Sequence, residues 1–199
     1  MQVRVHCFYY LLPLVAEGQF TTAVGCLGGS STNSSDGAHG SSHGTQDTDW
    51  QVVDLAADLS RTEESLSSAV QPRKHKYVFE GLGLVVAVIL MNAVPQIYRI
   101  NELGVKRICR DIYAIQQKLT TISSGREVSL DHARQYFELM LLSGQDILNG
   151  IVENGPQFQQ IDYKNLFELL CRSRSDEKDK FEWYNNRLKD ILDGVPVKI

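Results

Sequence analysis

Between Glu80 and Arg99 the chain runs eighteen residues without a charge, GLGLVVAVILMNAVPQIY, from Gly81 to Tyr98. A run of this kind must leave water, and it can do so across a bilayer, within a sheet, or inside a helical bundle. Its unbroken apolar part, Gly81 to Met91, has the length of a buried core helix. It falls short of the roughly 20 residues that a helical span needs. Asn92, Pro95 and Gln96 would fall within any extension. The strand reading is harder to set aside, because Val85, Val86, Val88 and Ile89 are β-branched and suit a pleated surface. Periodicity does not separate a buried strand from a helix that is apolar all round. The rest of the chain separates them: no clear alternating strand follows Trp50, and a lone strand would leave its backbone groups unpaired. A buried helix is the expectation, with a kink or break near Asn92 imposed by Pro95.

The remaining pattern after Trp50 is helical nearly throughout. Leu55, Leu59, Leu66 and Ala69-Val70 mark one face of a segment that Pro72 ends, and the basic RKHK (Arg73 to Lys76) follows. Val105, Ile108-Cys109, Ile112, Ile115, Leu119 and Ile122 form a stripe at helical spacing, stopped by SSG at Ser123 to Gly125. A further helix is expected from Ser129, a candidate N-cap, with Asp131 favouring its positive end. Its apolar set continues through Tyr136-Phe137, Met140-Leu141 and Ile147-Leu148 to Ile151, before Gly155-Pro156 closes it. Tyr163, Leu166-Phe167 and Leu169-Leu170 carry another helix. After the charged connection RSRSDEKDK, the set Phe181, Tyr184, Leu188 and Ile191-Leu192 marks a last one. The predicted fold class is all-α, an antiparallel helical bundle with short connections.

Three regions follow from composition: an N-terminal helical segment over 1–27, a Gly/Ser-rich loop over 28–49, and the helical bundle over 50–199. The block from Gly28 to Asp49 has no apolar anchor except Ala38, so burial cannot offset its ordering entropy. His39 and His43 stand four apart in it, but Gly40 and Gly44 oppose the helix that would make them a metal pair. Arg4 ahead of CFYYLLPLVA (Cys7 to Ala16) looks like the start of a signal peptide. Pro13, Glu17 and Gln19 interrupt it before any small-residue cleavage site. One alternative therefore stands: a membrane-anchored or secreted helical protein using residues 5–16 as signal and 81–98 as span.

Composition narrows the functions. A length of 199 residues allows one domain or two small ones, and the net charge of -4 gives no basic footprint for nucleic acid. Cys7, Cys26, Cys109 and Cys171 are scattered without a CxxC pair, which suits reduced thiols rather than a disulfide framework or a zinc site. The chain has no phosphate loop, no GxSxG elbow and no HExxH, and Gly81-x-Gly83 lacks the third glycine of a dinucleotide fingerprint. His132, between Asp131 and Ala133, reads as part of a solvated helix face. Phe137, Phe167 and Trp183 read as core. No catalytic residue, cofactor, metal or small-molecule substrate is expected. Arg73, Lys74 and Lys76 could make a weak contact with anionic lipid head groups, or form a solvated turn.

Three stretches, HKYVFEGLG (His75 to Gly83), GVKRICRDIYAIQQKLTTI (Gly104 to Ile122) and LDHARQYFELML (Leu130 to Leu141), resemble the exocyst complex component 4 family. These are the Sec-eight subunits of the vesicle-tethering exocyst, and the likeness is to their C-terminal region. VRVHCFYYLLPLVAEGQF (Val3 to Phe20) is similar to the segment just upstream, so the resemblance covers nearly the whole chain and is weakest over 28–49. It implies stacked helical bundles forming a rod of the multisubunit-tether type, with no catalytic role. It also implies a cytoplasmic protein, peripherally associated with secretory vesicles and the plasma membrane, whose partners are the other exocyst subunits. The apolar N-terminal run is then a buried helix rather than a signal, and Met1 the start of a fragment or of a truncated gene model. The C-terminal GVPVKI offers Val197 and Ile199 in the pattern of a hydrophobic PDZ-domain ligand, in place of the hydroxyl-bearing type that the resemblance implies for some members of the family.

Overall fold

A computed structural model of the chain describes residues 2–17, 48–123 and 125–194, and among these there is helix and no strand. In chain order the helices are α1 (Gln2–Glu17), α2 (Trp50–Ala69), α3 (Pro72–Phe79), α4 (Leu82–Asn92), α5 (Glu102–Ser123), α6 (Val128–Glu138), α7 (Gly144–Asn154), α8 (Gln160–Ser173) and α9 (Phe181–Leu192). Two 3-10 turns, Val94–Gln96 and Leu139–Leu141, follow α4 and α6. The all-α bundle expected from the sequence is the fold observed.

The charge-free run becomes α4. Leu82, Val86, Ala87, Ile89 and Leu90 are buried, while Leu84 and Val88 remain about half exposed on the opposite side. α1 and α6 pack against it from two directions, and α6 also packs on α5. Taken as a linear segment, Tyr77–Gln96 is long and apolar enough to cross a membrane. Three features of the fold count against that use. α3 stops at Phe79, Gly81 turns the chain at φ +78°, and Pro95 sits in a 3-10 turn. At 1.5 Å per residue α4 itself is about 16 Å long, against about 30 Å of bilayer hydrocarbon. The apolar part of α1 is likewise built into the core, with Cys7, Leu11 and Leu14 buried beside α2 and α4. The signal-and-span alternative is therefore not favoured. One core cluster connects these side chains with Leu188 of α9, and each fully buried Leu or Ile contributes about 1.5–3 kcal/mol.

Four local expectations are corrected. RKHK is not a turn: it lies in α3, whose first residue, Pro72, lacks only an N–H that a first helical turn leaves unpaired anyway. The helix expected to run from Ser129 to Gly155 is two helices. It starts at Val128, after Glu127 in the cap position, and breaks after Glu138. At the break, Leu142 becomes extended and Ser143 caps α7 by accepting from the Asp146 N–H at 3.1 Å. Trp183 is about half exposed rather than core, while its neighbour Tyr184 is buried and stacks on Phe167 at 5.0 Å between centroids. Of the stripe expected on α2, Leu55 and Leu59 are buried and Leu66 is partly buried against the core, whereas Ala69 faces solvent. The break near Asn92 occurs where Pro95 predicts it.

Each break leaves backbone groups without helical partners, and the end of α8 supplies them. Arg172 donates to the carbonyls of Pro95 at 3.5 Å and Ile97 at 3.2 Å. Ser173 Oγ accepts from the Ile100 N–H at 3.0 Å. Arg174 donates to the Leu142 carbonyl at 2.7 Å and to that of Met140. Three consecutive residues thus hold the interruption after α4 and the one between α6 and α7. Removing a charged donor from part-buried carbonyls costs about 1.5–3 kcal/mol. Arg172→Ala and Arg174→Ala are each expected to lower the urea-unfolding free energy by that amount, with the exposed Lys189→Ala within about 0.5 kcal/mol of the parent.

Candidate interaction surface

The buried charges among the described residues serve the packing of the chain. Asp49, only 6% exposed, enters α2 beside α5, where its carboxylate pairs with Arg107. Its backbone N–H donates to Asp111 Oδ1 at 3.1 Å, and its carbonyl accepts from Val52 and Val53. Asp111 has its other oxygen, Oδ2, buried without a partner. Burial pushes this carboxyl up to about 7, against the pull of Arg107 and Arg110. A second junction forms where α7 meets α9. Glu177 is buried and accepts from the Tyr184 hydroxyl, from Lys180 at 3.3 Å and from the Gly144 N–H at 3.4 Å. Burial drives the Glu177 carboxyl upward, but these donors outweigh it and hold it below the ordinary range. Gly144 is required there, since a Cβ would lie 2.4 Å from the Tyr184 ring.

Asp49, Asp111 and Glu177 line neither of two concavities that open on the surface. One is a groove of about 910 Å³ between α4, the start of α6 and the loop before α8. Leu84, Val88, Met91 and Val128 give it an apolar wall, and His132 packs on Phe158 at 4.4 Å between centroids along its side. The other is a pocket of about 500 Å³ between the segment after the Val94–Gln96 turn and the α8–α9 connection. Arg99, Arg172, Arg174 and Lys178 line it together with Tyr98 and Phe181. His132 is exposed, as read from the sequence.

The described residues include only some of those singled out in sequence. Lys74 is exposed on α3; Arg73 and Lys76 belong to the same helix, but their side chains lie outside the described residues. Val197 and Ile199, with His39 and His43, also lie outside them. Cys7, Cys109 and Cys171 are free thiols. Among the described residues no group of three or more His, Cys, Asp or Glu side chains could hold a metal ion. The sequence reading missed Asp49, Glu177 and the Arg172–Arg174 clamp. Asp49 did carry a signal, as an acidic residue directly before the first helical position, whereas the other two sit in a connection that reads as solvated.

The fold defines an all-α bundle whose accessible features include grooves between helices, with its buried carboxylates engaged in its packing. Exocyst complex component 4 from mouse is 36% identical over 194 residues, covering 96% of this chain and 18% of its own length. The human protein of that name is 37% identical over 88% of the chain, and the Drosophila melanogaster one 35% identical over all of it. The chain belongs to the exocyst complex component 4 family. It spans less than a fifth of the length of these curated relatives, between 16% and 19%. No family model matches it.

The Asp111 carboxyl makes stability depend on pH. The unfolded chain gives up this proton near 3.8, whereas the folded protein holds it to about 7. Its contribution is full below about pH 4 and is lost as pH rises through 7. Asp111→Asn retains the Oδ1 acceptor and removes the titration. The variant is expected to match the parent at pH 4 and to exceed its unfolding free energy at pH 8 by up to about 4 kcal/mol, measured by urea denaturation at both values.

Proposed function

We propose that this chain is a non-catalytic scaffold segment of an exocyst subunit, one that helps hold secretory vesicles at the plasma membrane before fusion. It works in the cytoplasm, peripherally associated with the two membranes through the complex, and its helical faces bind other exocyst subunits. The observation that carries this reading is the match along nearly the whole chain to exocyst complex component 4 from several animals. The physical organisation supports it. Its buried carboxylates are committed to helix ends, its core is continuous from α1 to α9, and exposed aromatic and aliphatic side chains are available as anchors. Tyr9, Tyr77, Tyr98 and Trp183 are large, about half exposed or more, and supported by rigid helices or their immediate ends.

Affinity purification of the full-length polypeptide that carries this segment, followed by mass spectrometry, tests the reading. Other exocyst subunits are expected in the eluate, and their complete absence would overturn it. Carbonate extraction is expected to release the protein from membranes; retention in the pellet would restore the spanning alternative.

A further inference from the structure

We propose that the pocket between the α4–α5 connection and the α8–α9 connection is a docking site for an acidic peptide segment bearing an apolar or aromatic side chain. Four cationic side chains, Arg99, Arg172, Arg174 and Lys178, line it against a single carboxylate, Glu168, which stands 3.6 Å from Arg172. The excess is local, because the chain as a whole carries a net charge of -4.

The cations divide into two kinds. Arg172 and Arg174 are fixed: one terminal nitrogen of Arg172 donates to the carbonyls of the first helix break while the other faces Glu168, and both terminal nitrogens of Arg174 donate to carbonyls of the second. Carbonyls satisfy donors but do not cancel charge, so Arg174 keeps its positive field, and Arg172 has an Nε–H buried without an acceptor. Arg99 and Lys178 are exposed and make no ion pair among the described residues. Arg99 rests over the Tyr98 ring at 5.6 Å. A preorganised positive wall with two movable cations at the rim is the arrangement by which Arg clusters recognise acidic motifs. Tyr98, 77% exposed, and Phe181 add apolar surface against which a side chain of the same segment can pack.

The shape favours a peptide over a membrane. The cations line a concavity of about 500 Å³, which one or two side chains can enter and a bilayer surface cannot. Asp176 and Asp179 flank Lys178 in the same turn and are exposed, and Glu102 lies close enough to Arg174 to feel its charge. An anionic surface laid across the pocket would meet these carboxylates at once, at a cost that an inserted side chain avoids. The inference does not depend on the tethering assignment, since it concerns what this pocket binds in the isolated chain.

The test uses the full 199-residue chain and a fluorescein-labelled peptide of alternating glutamate and leucine, read by anisotropy. Saturable binding is expected, weakened about tenfold or more by Arg99→Glu with Lys178→Glu, and weakened by salt between 50 mM and 500 mM, roughly as screening requires. Arg99→Gln with Lys178→Gln should give a smaller loss in the same direction, and it serves as the readout if charge reversal disturbs folding by circular dichroism. A lysine–leucine peptide should not bind. No binding of the acidic peptide, or equal binding by parent and variants, would overturn the proposal. So would sedimentation with phosphatidylserine vesicles that the same substitutions abolish while peptide binding is unaffected. Competition by millimolar inorganic phosphate stronger than by the unlabelled peptide would also overturn it, by reducing the site to a simple anion sink.

Discussion

A helical bundle built from short helices has a recurring problem: every interruption strands carbonyl and N–H groups at the edge of the core. The fold depends on how this chain answers it at two places. Pro95 ends the most apolar helix, and an extended step at Leu142 separates α6 from α7. Both lesions are closed by Arg172, Ser173 and Arg174, contiguous in sequence at the end of α8. A guanidinium suits this work because its planar fork reaches two carbonyls at once while its stem covers apolar surface. The clamp also explains how Pro95 is accommodated in a packed region. The break it makes is held by a third element, on which the 3-10 turn itself packs.

The buried sides of the helices were legible because their signal is repeated. All of Val105, Ile108, Ile112, Ile115, Leu119 and Ile122 are buried on α5, as a stripe at helical spacing demands. Gly and Pro marked the ends of α4 and α7 for equally local reasons. What escaped the sequence was single, long-range and polar. Ser143 marks the start of α7 by a side-chain cap, but an apolar pattern running through Leu139–Leu141 hides the break. Glu177 stands among seven charged residues between Arg172 and Lys180, and nothing nearby says that Tyr184 and Gly144 will enclose it. The surface features were less legible still. Tyr98 and Arg99 come from one connection, Lys178 from another, and only the docking of α8 beside the Val94–Gln96 turn brings them together.

The same division separates what this segment needs to fold from what it offers to others. Groups that would suggest chemistry by their perturbed ionisation, above all Asp111 and Glu177, are enclosed and engaged with backbone N–H groups of neighbouring elements. The solvent-exposed groups include large aromatic rings such as Tyr98 and Trp183, and cations such as Arg99 and Lys178. A protein that works by presenting rigid faces is expected to distribute its residues in this way, with precision inside and anchors outside.

Asp49 carries a consequence of another kind. By docking on Arg107 and the Asp111 carboxylate it fixes the point at which the chain re-enters the bundle, while α1 is independently held by α2 and α4. The interval between Glu17 and Asp49 therefore joins two anchored ends. With each end fixed by its own contacts, the seating of α1 on the bundle and the entry of α2 are set separately, the first by helix packing and the second by a buried ion pair.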